Sequence, residues 1–189
     1  MRAEYIDPAV VCAMKARLNA REWLPFAVAL ETGLRVGDVV KIRVEDLTAD
    51  GVRYVSQKTG AAGFAPLSRA TVNALRDGAK WGWCFPSPYK CECHLTRQAV
   101  WARVKRAARR AGVDPKGKSP HSARKNFAVG VANTEGLAVA AAKLQHKRLD
   151  VTELYALSDW TTGANADLPL LRRDLQKIVE KLVGMLGII

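Results

Sequence analysis

Residues 144–155 read LQHKRLDVTELY, and the nine-residue step from His146 to Tyr155 decides how the rest of the chain is read. Upstream lie PHSARKNFA at 120–128, SQKTGA at 56–61 and TGLRVGD at 32–38. They contribute His121 and Arg124, then Lys58, then Arg35 and Asp38. A phosphodiester under attack gains negative charge on its non-bridging oxygens, and guanidinium forks and an ammonium suit that charge. A phenol oxygen that sheds its proton can be the attacking group. Arg35, Lys58, His121, Arg124, His146 and Tyr155 are therefore the candidate catalytic residues of a site that needs neither metal nor cofactor. Such a site would cut a nucleic-acid backbone through a covalent phosphotyrosine.

Composition agrees with a polyanionic partner. The chain has 189 residues, enough for one domain with a substantial core or two small ones. Its 30 Lys and Arg against 18 Asp and Glu leave a formal charge of +12, for which nucleic acid is the default partner. No stretch is apolar for long enough to span a membrane, and the opening MRAEYIDPAV lacks the apolar run of a signal peptide. Cys12, Cys84, Cys91 and Cys93 suit a reducing cytoplasm better than a disulfide framework. Cytoplasmic location is the expectation.

The pattern of elements is mainly helical with one small sheet, an α+β class. Asp7-Pro8 has the form of an N-cap followed by proline at the first helical position, and Val11, Met14 and Leu18 mark a face. Trp23, Phe26, Ala27, Leu30 and Leu34 follow the helical period, and Gly33 supplies a stop. Arg35 then falls at a helix break, ahead of a short helix carrying Val36, Val39, Val40 and Ile42. Val52 to Val55 alternates as a strand does, Lys58-Thr59-Gly60 turns, and Phe64 to Leu67 returns, with Pro66 marking an edge. Lys58 is expected near the tip of this hairpin.

Further helices are expected over 68–78, from Thr96 to Ala111 with Val100, Trp101, Val104 and Ala108 inward, from His121 to Thr134, and from Leu137 to Leu144. Asp150 with Glu153 resembles a capping box ahead of Tyr155. A last helix over 167–189 carries Leu171, Leu175, Ile178, Leu182 and Leu186.

His121 and Arg124 are three apart, so on a helix both side chains reach one spot. With that motif in place, the chain resembles the catalytic domain of the tyrosine recombinases, the phage-integrase family. Their pattern is an arginine in T-G-L-R, a lysine on a β-turn, H-x-x-R, L-G-H, and a tyrosine nine residues on. All six elements occur here in that order over roughly residues 5–160.

The resemblance implies that Tyr155 is the nucleophile and leaves a 3′-phosphotyrosine and a free 5′-hydroxyl. Arg35 and Arg124 would clamp the scissile phosphate, Lys58 would protonate the leaving oxygen, His121 would assist proton transfer, and His146 would hydrogen-bond the phosphate. Asp38 matches an acidic position that steadies the site. It further implies double-stranded DNA as partner, a homotetramer on that DNA, and a bacterial, archaeal or mobile-element origin. The family's N-terminal helical domain, which closes a clamp around DNA, is expected to be absent from these 189 residues, which would be catalytic domain throughout. Two departures stand out. Gln145 replaces the glycine of L-G-H, and Lys125 and Asn126 replace a histidine and a small hydroxyl residue.

Other features carry plainer readings. Cys84, Cys91, Cys93 and His94 are spaced C-x6-C-x-C-H, a poor fit to structural zinc, and read as reduced thiols in a loop. Arg97, Arg103, Arg106 and Arg110 fall on the helix over 96–111 and are expected to contact DNA phosphates. A type IB topoisomerase shares the chemistry and fold core, but the L-x-H…Y spacing favours the recombinases. A DNA-binding accessory protein with a retired site would have lost Arg35, Arg124 or Tyr155, and none is lost.

In related enzymes C-terminal segments are donated between neighbouring protomers. Residues 167–189 are the candidate exchange segment, after a hinge at 161–164. Truncation after Ala166 is expected to leave a folded protein that forms the Tyr155 adduct on DNA but fails to assemble recombining complexes. Native gel analysis of the DNA complexes checks this, and full recombination by the truncated chain would end the idea.

Overall fold

The computed structural model describes residues 3–144. His146, Tyr155, the capping box at Asp150 and Glu153, the hinge at 161–164 and the helix expected over 167–189 lie outside the described residues.

Helix α1, Pro8–Lys15, starts as its sequence demands: the Asp7 carboxylate accepts the Ala9 N–H, and Pro8 needs no partner at the first turn. Helix α2, Ala20–Thr32, is capped by the Asn19 side chain on the Glu22 N–H. It buries Trp23, Phe26, Val28, Ala29 and Thr32, so its apolar surface extends well beyond one stripe. A helix buried on several sides is a hub. Helices α3 (Val36–Val39), α4 (Arg69–Asp77), α5 (Arg97–Arg110) and α6 (Pro120–Glu135) all pack on α2. Helix α7, Leu137–Lys143, packs in turn on α6.

Between α3 and α4 the chain makes a 3₁₀ turn, Val44–Asp46, and then a hairpin. Strands β1 (Gly51–Val55) and β2 (Ala62–Pro66) pair antiparallel, with Gly51 opposite Pro66 and Val55 opposite Ala62. The return strand thus begins two residues before the expected Phe64. Pro66 has no N–H to give, and it falls on the last pair of a two-stranded sheet, where that donor is dispensable. Val52 and Ala65 are buried, while Val55 and Phe64 are exposed, so one face of the hairpin lies on the core. Lys58 occupies the exposed turn, as expected.

One expected core residue is not in the core. Trp101 is half exposed, with the Lys105 ammonium 5.2 Å from its ring centroid. The buried stripe of α5 is instead Val100, Val104, Ala107 and Ala108, and Ala107 takes the inward position assigned to Trp101. Small alanines there let α5 approach its neighbours closely, and an indole would hold them apart.

Gly33 ends α2 in the left-handed conformation at φ +68°, donating its N–H to the Ala29 carbonyl. A Cβ at this position would collide with the Phe127 ring of α6. Gly33→Ala should therefore lose stability by about 2–4 kcal/mol, combining backbone strain with overpacking. Denaturant unfolding measures it, and a loss below about 0.5 kcal/mol would mean that this contact is not tight.

Candidate active site

The break at Gly33 hands the chain to Arg35, whose backbone is extended at the N-cap of α3. The Arg35 carbonyl accepts the N–H groups of Asp38 (2.8 Å) and Val39 (2.9 Å), which fixes the turn and the direction in which Arg35 leaves it. Val36 and Val39 are buried on either side of this turn, so the segment cannot rotate freely.

The opposite wall is the first turn of α6. Pro120 takes the first helical position, and the Ser122 hydroxyl accepts the Ser119 N–H at 3.1 Å while donating to the Gly117 carbonyl at 3.2 Å. His121 and Arg124 are one turn apart on this helix, as their spacing predicts. The guanidinium of Arg124 donates from Nη1 to the Gly33 carbonyl (2.6 Å) and from Nη2 to the Leu144 carbonyl (2.8 Å). Two rigid anchors thus orient one fork, and one of them is the residue that ends α2.

His121 shows what surrounds it through its basicity. Its pKa lies below the ordinary 6.5, first because packed protein desolvates the ring, then because Arg124, Arg35 and Arg97 repel a proton. His121 nonetheless remains open to solvent on one side. Arg97 thereby joins the cluster. Its side chain passes Gly37, where a Cβ would stand 3.3 Å from Arg97 Cδ. The Thr96 cap on the Ala99 N–H starts α5 at this spot.

Tyr54 is a member that residue spacing did not reveal. It shares the inner face of β1 with Val52, and its hydroxyl is held above its ordinary pKa, mainly by burial. Arg124, Asp38 and Arg35 all act on it electrostatically, so it stands among the same charges. Asp38 is buried, and its Oδ1 accepts the Gln57 N–H at 3.0 Å. Among the described residues no ion pair joins it to Arg35. Gln57 also donates its side-chain amide to the Gly37 carbonyl. Lys58, the next residue, is exposed at the hairpin tip.

The structure therefore brings Arg35, His121 and Arg124 together, adds Arg97 and Tyr54, and places Lys58 beside the group on a turn. His146 and Tyr155 lie outside the described residues. The departure at Asn126 has a structural reason: its amide accepts the Ile6 N–H (2.9 Å) and donates to the Ile6 carbonyl (2.5 Å), docking the N-terminal segment on α6. Neither Asn126 nor Gln57 could be found from spacing, because their partners lie 120 and 20 residues away.

The remaining arginines of α5 behave differently. Arg106 is ion-paired with Glu22, Arg103 is partly buried with Glu22 and Arg106 among its neighbouring charges, and Arg110 reaches the Arg17 carbonyl at 3.4 Å. Cys84 is a core thiol whose pKa is pushed up to about 12 by burial and then by the charge of Asp46. Cys91 and Cys93 are exposed, while His94 stacks edge-on against Trp83 and sets Nδ1 2.7 Å from the Leu95 carbonyl. No metal-holding group of three His, Cys, Asp or Glu forms among the described residues.

The model of the phage integrase family matches residues 7–161. The chain belongs to that family. It is 31% identical over 151 residues to the tyrosine recombinase XerD of Yersinia pestis, covering 73% of this chain and 50% of that protein. It is 25% identical over 154 residues to the integrase of Escherichia phage P2, covering 80% and 42%. Among solved structures, a lambda integrase dimer bound to a COC′ core site superposes with a TM-score of 0.70 at 18% identity, covering 84% of this chain and 60% of that one. The chain thus spans about half the length of the relatives it matches, and its fold is that of a tyrosine-recombinase catalytic domain.

The charges around His121 have a consequence in pH. Between its lowered folded pKa and 6.5, the unfolded chain binds more protons than the folded one. Its contribution to stability is then full above about 6.5 and is lost as pH falls through the folded value. NMR titration of His121 in the free protein should give a midpoint below 6.5, and Arg97→Ala should raise it. A wild-type midpoint at or above 6.5 would show that the three cations do not act on the ring.

Proposed function

We propose that this chain is the catalytic part of a site-specific DNA recombinase that cuts and rejoins DNA through a 3′-phosphotyrosine. The observation that carries the reading is the meeting of Arg35, His121 and Arg124 from two separate elements at one place, with Arg97 beside them. Such a cluster is costly without an anion, and a phosphodiester is the anion of matching charge and geometry. Double-stranded DNA is the proposed partner, with a homotetramer on DNA as the working assembly and residues 167–189 linking its protomers. Among the described residues no helix is long and apolar enough to cross a membrane, and a cytoplasmic setting follows from the proposed substrate.

The reaction exchanges one ester for another. The Tyr155 oxygen attacks phosphorus, its proton passes toward His121, and the P–O5′ bond breaks. Arg35 and Arg124 stabilise the charge that develops on the non-bridging oxygens, and the Arg124 fork is already oriented by the Gly33 and Leu144 carbonyls. Lys58 gives its proton to the departing 5′-oxygen, and His146 donates to the phosphate. Since the phosphoester energy stays in the protein–DNA bond, the 5′-hydroxyl of another strand can reverse the step. The arginines Arg103, Arg106 and Arg110 serve the flanking backbone, with Arg106 exchanging Glu22 for phosphate.

Tyr155→Phe should bind DNA with affinity within about twofold of wild type and form no covalent adduct, because only the attacking oxygen is lost. Trapping on a suicide DNA substrate with peptide mapping measures this, and the wild-type adduct should persist in excess chelator. An adduct surviving in the Phe variant, or one that needs added magnesium, would overturn the reading.

A further inference from the structure

Two contacts converge on the residue that precedes Lys58. The Gln57 backbone N–H is taken by the buried Asp38 carboxylate at 3.0 Å, and the Gln57 side-chain amide is taken by the Gly37 carbonyl. Both acceptors belong to the turn that aims Arg35. Gly37 itself is boxed in, since a Cβ there would lie 3.3 Å from Arg97 Cδ and 3.5 Å from Gln57 Nε2. On the hairpin side, the tip is closed by Ser56 N–H to Ala61 (2.9 Å) and Gly60 N–H to Ser56 (2.8 Å). The whole tip, Gln57 to Ala61, is exposed. Ser56 is buried, and among the described residues its hydroxyl makes no hydrogen bond, so that side chain does not tie the tip to the Arg35 turn.

We propose that Gln57 is the positioning residue of the hairpin tip: a two-point latch onto Gly37 and Asp38 that holds Lys58 in register with Arg35. The inference rests on the reading of Lys58 as proton donor to the leaving oxygen. A lysine side chain has four rotatable bonds and an unanchored turn beneath it would add more freedom, so proton delivery depends on where its Cα is held. The latch removes that backbone freedom and leaves the ammonium free to follow the 5′-oxygen. In the step concerned, the Tyr155 O–P bond forms, the P–O5′ bond breaks, and the Lys58 proton goes to O5′. Gln57 touches none of these atoms and acts through Lys58.

The leaving group separates this role from a general structural one. A DNA strand with sulfur in place of the bridging 5′-oxygen departs as a thiolate and needs little proton donation. Single-turnover adduct formation would be measured on both substrates with the full 189-residue chain. The variants are Gln57→Ala, Gln57→Glu, which keeps the size but loses the donated bond, and Lys58→Ala. Gln57→Ala and Gln57→Glu should each be roughly tenfold slower on the oxygen substrate and within about twofold of wild type on the sulfur one. The DNA affinity of Gln57→Ala should be unchanged, and in both variants hydrogen exchange of the residue-57 and Gly60 amides should be faster. Equal slowing on both substrates, or none on either, would overturn the latch. Lys58→Ala is the separate control: restored on sulfur, it upholds the proton-donor reading, and unrestored, it removes that reading and the latch with it.

Discussion

The bond from Arg124 to the Gly33 carbonyl is the contact on which the rest of this domain turns. A helix that stops in the left-handed conformation leaves carbonyls unpaired. Here one of them is answered by a guanidinium from a helix that begins almost ninety residues later. The same glycine must lack a Cβ because Phe127 of that helix packs against it. Packing of α2 on α6 and placement of the two arginines are thus one event. The central helix cannot be shifted without moving Arg35, and α6 cannot be shifted without moving Arg124 and His121.

The site concentrates positive charge before any substrate arrives. Burial first, and then Arg124, Arg35 and Arg97, make the His121 imidazole harder to protonate. Asp38 stands nearby, but its carboxylate is occupied by the backbone of the hairpin rather than by Arg35. The Arg124 fork, held by two backbone carbonyls, is preorganised for the anion proposed to bind there. The basic surface farther along α5 differs in kind. There Glu22 holds Arg106, so charge is partly neutralised where binding rather than chemistry is proposed.

Strong local signals in the sequence translated directly into structure. Asp7-Pro8, Ser68 and Thr96 all stand at helix starts. Gly33 stops a helix, and the Lys58 turn joins two strands. Trp101 failed because periodicity ranks residues by apolarity, whereas α5 packs through Ala107 and Ala108, where closeness is worth more than bulk. The return strand began early because Ala62 and Gly63 have little strand propensity of their own and pair only because β1 is there to receive them.

The sequence by itself determined the element order over the described residues, the helix breaks and the list of candidate reactive side chains, since caps, glycines and short motif spacings act over a few residues. It also carried the family, through motif order. Tertiary structure alone decided that Arg97 joins Arg35, His121 and Arg124 while its neighbours on α5 turn to Glu22 and Arg17. It alone decided that Tyr54 stands among the site's charges, that Asn126 grips Ile6, and that Gln57 grips Gly37. Each of these depends on backbone groups brought together across the chain, and a peptide carbonyl has no letter in a sequence to betray what it will accept.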